Sequence, residues 1–269
     1  MKSPEKQGQS GSTAIKQASL TAIVESLIYP YLAIQKEYNE PVVFIETNAG
    51  CGFNKRVQIE GSPVIFGQAI DRLKIRSVRL FCDNDAEALK ELENKMGYIP
   101  FASYHCVDNR DFIKGLPEKI VALTGVRDIK YARGLVYVDP NGVTDGFPLA
   151  ELVEFSRIAT GIDIVINHAA NTAKRSRGAF KDRDYPDTGQ IIKMINKPFS
   201  AVRSPHGSSQ WTMVLLSSYK SYKISGVMRS HGFTESFSDK GKMIIAKCRL
   251  NKTEYVRHLN DTGYLFETI

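Results

Sequence analysis

The sequence has few features of a secreted, membrane or metal-binding protein. Its four cysteines are scattered and no two are spaced as a CxxC pair, which argues against a disulfide framework or a zinc site. The longest apolar runs are about one strand long, far short of the roughly 20 residues of a membrane span. Residues 1–12 are polar and contain no apolar signal core. We therefore expect a cytoplasmic protein that does not contact a membrane.

The composition is that of a globular protein. Hydrophobic residues make up 42% of the chain and charged residues 24%. A length of 269 residues is enough for one large α/β domain or two small ones. The net charge of +7, from 36 basic and 29 acidic residues, modestly favours a polyanionic partner.

Three regions differ in composition. Residues 1–12 are rich in Ser, Gly, Gln and Lys and are predicted to be a disordered arm. Residues 13–250 are predicted to form the main domain, and 251–269 a C-terminal extension that packs on the domain or on a partner. Apolar residues at helical spacing over 13–38 predict one or two helices, interrupted near Pro30.

Strands and helices alternate through the main domain. Continuous apolar runs, such as 41–46 and 134–138, are typical of buried parallel strands. The pattern predicts a doubly wound α/β sheet. The predicted strands are 41–46, 77–82, 102–107, 134–138, 162–167, 211–216 and 243–248, and the predicted helices are 85–96, 111–124, 149–160 and 222–231.

Polar residues follow the first four predicted strands. Ligands of open parallel sheets bind beyond the carboxyl ends of the strands, so these residues are expected to converge. Each acid also has an alternative role in the structure, because an acid at a strand end often caps the next helix. Asp85 and Asp111 are further candidates for such a cap. The residues are Glu46, Asn48, Gly50 and Gly52, then Asp83, then Asp108 and Asn109, then Asp139 and Asn141.

The spacing favours a nucleoside-containing ligand. Asp83 lies about thirty residues past the glycine turn, where a carboxylate can bind a ribose diol, and Asp108 can face an adenine amino group. A dinucleotide site needs a third glycine near the pyrophosphate, and Gly50-Cys51-Gly52-Phe53-Asn54-Lys55 lacks it. The turn suits S-adenosylmethionine, which has no phosphate, and disfavours a nicotinamide oxidoreductase.

Several segments together resemble a known group of enzymes. They span residues 42–170 and are Phe44-Ile45-Glu46-Thr47-Asn48-Ala49-Gly50-Cys51-Gly52 (family pattern DxFAGxG), Gly61-Ser62-Pro63-Val64 (GSPL), Phe81-Cys82-Asp83-Asn84-Asp85 (FIEKD), Asp108 (the acid of GDA) and Val138-Asp139-Pro140-Asn141-Gly142 (IDPFG). The chain resembles class I S-adenosylmethionine-dependent methyltransferases. Within that class it is similar to the three-Cys-motif partner proteins and the large-subunit ribosomal RNA adenine-N6 methyltransferases.

The resemblance implies a Rossmann-like fold, with a mostly parallel seven-stranded sheet, an antiparallel last strand and N-terminal helices. It implies that Asp83 holds the ribose, that Asp108 and Asn109 lie at the adenine, and that Asp139, with Pro140 and Asn141, stands at the reacting centre. The implied residues at the methionine end of S-adenosylmethionine are Glu46, Asn48, Gly50 and Gly52.

The segment after Pro140 departs from the pattern of base-N6 enzymes. Those enzymes place an aromatic residue there that stacks on a flipped base, whereas this chain has Asn141-Gly142. The nearest aromatic candidates are Phe53 and Phe147. Acceptors other than a base nitrogen therefore stay open.

A basic segment follows the fifth predicted strand, on the same rim as Asp139. Lysines and arginines at such a rim can neutralise nucleic-acid phosphates, although a solvated loop is the alternative. His168 beside it is expected to be a packed residue, and Trp211 either stacks on a base or belongs to the core. The predicted nucleic-acid contacts are Lys174, Arg175, Arg177, Lys181, Arg183 and Arg203.

The sequence therefore predicts a methyltransferase that uses S-adenosylmethionine and acts on DNA or RNA. Two alternatives stay open. One is a non-catalytic module of the same fold that binds a protein or a nucleic acid in a defence or mobile-element system. The other is a different reaction on S-adenosylmethionine or another nucleotide in the same cleft.

Overall fold

The computed structural model describes residues 13–55, 57–140, 147–171, 173–174, 185–206, 210–220 and 222–262. The predicted arm, Asn141 and four of the predicted nucleic-acid contacts (Arg175, Arg177, Lys181 and Arg183) lie outside these ranges. Among the described residues, no helix is long and apolar enough to cross a membrane. The same residues contain no cluster of three His, Cys, Asp or Glu side chains arranged to bind a metal.

Helices and strands alternate along most of the chain. The strands are β1 Val42–Glu46, β2 Phe53–Asn54, β3 Ile59–Glu60, β4 Ser77–Asp83, β5 Ala102–Cys106, β6 Gly134–Val138, β7 Ile162–Ala169, β8 Phe199–Arg203, β9 Trp211–Ser217 and β10 Phe233–Glu235. The helices are α1 Thr13–Tyr38, α2 Ser62–Arg72, α3 Ala86–Met96, α4 Asn109–Thr124, α5 Leu149–Ile158, α6 Thr188–Ile195, α7 Gly226–Ser230, α8 Asp239–Arg249 and α9 Lys252–Thr262.

The main sheet has the strand order β10-β8-β9-β7-β6-β1-β4-β5. Strands β5, β4, β1, β6 and β7 are parallel, whereas β9 is antiparallel to both of its neighbours and β10 is antiparallel to β8. The predicted mostly parallel sheet with an antiparallel last strand is confirmed, with eight strands instead of seven. The chain reverses direction across the sheet between β1 and β6, which is where ligands bind in open α/β sheets.

The core lies on both faces of the sheet. On one face α1 and α2 cover side chains of alternating strand positions, including Phe44 and Tyr137. On the other face α4, α5, α6 and α8 cover the intervening positions, including Ile45 and Val136. Residues at the ends of β1 and β6 that continue the first alternation, Glu46 and Asp139, therefore point toward the α1 side.

The expected interruption of the first helix is wrong. Helix α1 runs unbroken for 26 residues with Pro30 inside it. Pro30 is exposed, and the buried Ile28 and Tyr31 hold the helix to the sheet on either side of it. The Tyr31 hydroxyl lies 2.7 Å from Oδ2 of Asp163 and 2.8 Å from the carbonyl oxygen of Gly134. Tertiary contacts therefore outweigh the hydrogen bond that the proline removes.

The predicted strand 243–248 is also wrong, because these residues belong to α8. The Ser238 hydroxyl caps this helix by accepting a hydrogen bond of 3.1 Å from the Gly241 amide. Ile244 and Cys248, four residues apart, are its buried side chains. The predicted helix 222–231 is helical only over α7, and β8 and β10 were not predicted.

Candidate active site

The glycine turn after β1 joins two strand ends. The Gly50 amide donates a hydrogen bond of 2.8 Å to Oδ2 of Asp83, at the end of β4. Gly50 and Gly52 both have left-handed φ angles, +56° and +70°. A side chain on Gly52 would place its Cβ 2.6 Å from Cδ1 of Leu92, whereas a Cβ on Gly50 would meet nothing within 4 Å. The turn is therefore packed at Gly52 and open at Gly50.

Asp83 is oriented by backbone amides on both sides. Its Oδ1 accepts a hydrogen bond of 3.0 Å from the Asp85 amide, while Oδ2 binds the glycine turn. The side chain is half-buried. Each carboxylate oxygen has more than one lone pair, so both can still accept a hydrogen bond from a ribose hydroxyl.

Two other acids at the strand ends cap helices. Oδ1 of Asp85 accepts hydrogen bonds from the amides of the first turn of α3. Oδ1 of Asp108 accepts one of 2.8 Å from the Arg110 amide at the start of α4. The capping alternative is thus confirmed for Asp85 and Asp108, and Asp111 is not the cap. Asp108 is exposed and Asn109 is buried with no hydrogen-bond partner for Oδ1, so their contact with adenine stays a prediction.

Glu46 lies at the end of β1 and is fully buried. The Ser62 hydroxyl, from the first turn of α2, donates a hydrogen bond to Oε1, and Oε2 has no hydrogen-bond partner. Burial raises the pKa of Glu46 well above its ordinary value, and the nearby charges of Asp139 and Asp83 act in the same direction. Asn48, two residues on, accepts a hydrogen bond of 2.8 Å from the Thr47 hydroxyl.

Asp139 is held from two sides at the end of β6. Nζ of Lys16 on α1 lies 2.6 Å from Oδ2, and Nδ2 of Asn167 on β7 donates a hydrogen bond of 2.7 Å to Oδ1. The side chain of Asp139 is only 12% exposed. Sequence analysis missed both partners, although Asn167 ends a predicted strand. Pro140 is buried beside them.

The first turns of α1 cover the ends of β1 and β6. Gln17, the next residue of α1, is nearly buried and has no hydrogen-bond partner for Oε1. Tyr137, the register partner of Glu46 on β6, is fully buried below Asp139. Burial, and then the charge of Asp139, raises the pKa of the Tyr137 hydroxyl. The centre around Asp139 is therefore enclosed, while the turn at Gly50 is open.

Of the predicted nucleic-acid contacts, the structure describes Lys174 and Arg203, and both donate hydrogen bonds to other groups of the protein. Nζ of Lys174 donates hydrogen bonds of 2.6 Å to Oε1 of Gln210 and to the Lys247 carbonyl oxygen. Arg203 donates one of 3.1 Å to the Ser204 carbonyl oxygen. A role for these two residues in binding phosphate therefore stays a prediction.

The aromatic and histidine candidates lie near the carboxyl edge of the sheet. His168 is fully buried and stacks on Tyr185, so its expected packing role is confirmed. Phe147 packs edge-on against the same imidazole. Phe53 is half-buried with Nζ of Lys95 4.0 Å above its ring, and Trp211 is half-buried in β9.

Comparison with known proteins finds the fold in solved structures. No family model and no curated protein matches the chain. LPL1258 from Legionella pneumophila superposes with a TM-score of 0.51 at 10% identity, over 79% of this chain and 87% of that one. The N-methyltransferase NodS from Bradyrhizobium japonicum gives 0.40 at 9% identity, over 74% and 93%. A SAM-dependent methyltransferase from Thermotoga maritima gives 0.36 at 12% identity, over 78% and 96%.

The likeness to LPL1258 shows a shared fold. The sheet order, with its change of direction between β1 and β6, defines a Rossmann-like α/β fold, the architecture that the sequence predicts.

Proposed function

We propose that the chain is a methyltransferase that binds S-adenosylmethionine and transfers its methyl group to a nucleic acid, DNA or RNA. The observation that carries the proposal is the hydrogen bond between the Gly50 amide and Asp83, at the ends of β1 and β4 beside the switch point of the sheet. It joins an open glycine turn to a carboxylate on the neighbouring strand, the arrangement that suits a nucleoside without phosphates.

The charges at the carboxyl edge of the sheet favour the binding of a cationic ligand. Lys16 contributes one positive charge, and Asp83 and Asp139 contribute two negative charges, so these three groups sum to −1. The sulfonium of S-adenosylmethionine is a cation and complements that charge. In this proposal Asp83 binds the ribose, the turn at Gly50 approaches the methionine end, and Glu46 lies nearby.

Asp139 is the proposed acceptor-orienting group. Methyl transfer requires the acceptor atom in line with the sulfonium and, for a weakly acidic acceptor, a group that takes its proton. Lys16 and Asn167 fix the carboxylate in one orientation. S-adenosylmethionine would supply the methyl group, with its sulfur keeping the electron pair of the broken bond, and Asp139 or water would take the proton of the acceptor.

Nucleic acid is the proposed substrate because of the net charge of +7 and the basic segment that follows β7. A non-catalytic binding module is the second candidate. It is favoured by one observation: both oxygens of Asp139 already have partners, Lys16 and Asn167. An acceptor must therefore share or replace the Lys16 contact.

The test begins with calorimetric titration of S-adenosylmethionine and S-adenosylhomocysteine into the wild type, Asp83→Ala and Asp85→Ala. Binding is expected to be lost in Asp83→Ala and kept in Asp85→Ala, because Asp85 caps α3 without contacting the glycine turn. Equal binding by all three proteins would contradict the ribose assignment.

Methyl transfer is then measured with radiolabelled S-adenosylmethionine on mixed DNA and mixed RNA, with Asp139→Ala as the comparison. Transfer that depends on Asp139 supports the enzyme. Binding of the cofactor without transfer to either polymer favours the non-catalytic module.

A further inference from the structure

Among the described strand-end acids Glu46, Asp83 and Asp139, Glu46 alone has neither a cationic partner nor a backbone amide donor. Asp139 has Lys16, and Asp83 has two backbone amides. Glu46 has only the Ser62 hydroxyl, and its Oε2 is buried without a hydrogen-bond partner. A lone buried carboxylate is costly, so burial favours the protonated form of Glu46 before a ligand binds.

The surroundings of Glu46 come from four elements. Helix α2 supplies the neutral Ser62, and β6 supplies the neutral Tyr137, its register partner. The charges that act on Glu46 are those of Asp139, Lys16 and Asp83. Two of these three charges are negative, so the arrangement favours the protonated form until another cation arrives.

The proposed methyl donor and its product differ by one positive charge. Both have an α-ammonium and an α-carboxylate, but S-adenosylmethionine also has a positively charged sulfur, whereas S-adenosylhomocysteine has a neutral thioether. A positive charge near a buried acid favours its ionised form. By thermodynamic linkage, an acid that ionises on binding of the cation also strengthens binding of that cation.

We propose that Glu46 is a specificity-determining residue that distinguishes the cationic methyl donor from its neutral product. This inference rests on the proposed function. Glu46 releases its proton to solvent when the sulfonium binds, and the negative charge that remains holds the donor. After the methyl group has left, the sulfur is neutral, Glu46 takes up a proton, and the product is held less tightly.

The number of protons released on ligand binding is measured by calorimetry at pH 7.5. Titrations in phosphate and in Tris give this number, because the two buffers differ in enthalpy of ionisation. Both ligands are titrated into the wild type, Glu46→Gln and Glu118→Gln. Glutamine keeps the acceptor for the Ser62 hydroxyl and has the shape of the neutral acid, so the variant is expected to fold. Glu118 is an exposed carboxylate on α4 and is the matched control.

The wild type and Glu118→Gln are expected to release up to about one proton per bound S-adenosylmethionine and none with S-adenosylhomocysteine. Glu46→Gln is expected to release none with either ligand. The preference of this variant for S-adenosylmethionine over the product should fall about tenfold, which corresponds to a ligand-induced shift of one unit in the pKa of Glu46.

Two results would overturn the inference. Equal proton release with both ligands, or unchanged release in Glu46→Gln, overturns it and leaves the proposed function standing. Failure of the wild type to bind either ligand overturns the proposed function, and this inference with it.

Discussion

Lys16 on α1 and Asp139 at the end of β6 are 123 residues apart in sequence and form an ion pair of 2.6 Å. Their side chains are 19% and 12% exposed, so water screens the pair less than it screens a surface pair. The contact ties the start of α1 to the proposed reacting centre.

A double-mutant cycle measures this pair. Lys16→Met is expected to lower the free energy of unfolding by about 2 kcal/mol, because it leaves Asp139 nearly buried without its cation. With Asp139→Asn the coupling energy should be about 1–2 kcal/mol. Urea unfolding of the wild type, both single variants and the double variant gives these values.

The control is the exposed pair of Lys242 and Asp239 on α8, 3.6 Å apart. Lys242→Met is expected to change the free energy of unfolding by less than about 0.5 kcal/mol. Additive effects of Lys16→Met and Asp139→Asn would show that the two side chains do not interact in solution.

Gly50→Ala tests whether the open side of the glycine turn is the cofactor site. The added methyl meets no protein atom within 4 Å, so the folding cost is that of a left-handed alanine, about 1 kcal/mol. If a cofactor lies against the turn, the methyl takes up its space, and the affinity for S-adenosylmethionine should fall at least about tenfold. Calorimetric titration and urea unfolding separate the two effects.

Gly125→Ala is the matched control. Gly125 also has a left-handed φ, +74°, and open space around its Cβ position, but it ends α4 far along the chain from the turn. It should lose a similar free energy of unfolding and bind the cofactor as the wild type does. Unchanged cofactor affinity in Gly50→Ala would place the ligand elsewhere.

The sequence predicted the strands best where every residue of a strand is buried. Runs such as 134–138 are buried on both faces, and a period-free apolar pattern is typical of central parallel strands. Asp83 and Asp139 were found because strand ends converge in such a sheet. The run 243–248 was misassigned because a short apolar run does not distinguish a strand from a buried helix, and the Ser238 cap decided for the helix.

Other parts of the site depend on contacts that no local pattern contains. Lys16 reaches Asp139 only because α1 lies along the sheet with its first turns over the strand ends. The unpaired state of Glu46 likewise follows from which side chains surround it in space. Spacing along the chain predicted the elements and the strand-end acids, while their partners required the tertiary structure.

The stability of the fold should fall in acid because of His168. Nε2 lies 2.9 Å from the Pro186 carbonyl oxygen, which only accepts, so Nε2 carries the proton and Nδ1 accepts from the Thr188 hydroxyl, 3.0 Å away. Burial lowers the pKa of His168 from 6.5 to about 4. The neutral ring thus contributes its full stability above about pH 6.5, and this is lost progressively as the pH falls from about 6.5 to about 4.

Urea unfolding at pH 7.5 and pH 4.5 tests whether the free energy of unfolding falls in acid. The gap between 6.5 and about 4 corresponds to about 3 kcal/mol in total, most of which should be lost by pH 4.5. In His168→Gln the difference between the two pH values should shrink by about 2 kcal/mol, whereas His258→Gln, on α9 where no side chain is buried, should behave as the wild type. The same acid loss in His168→Gln as in the wild type would mean that other groups cause it and that the imidazole is not held neutral.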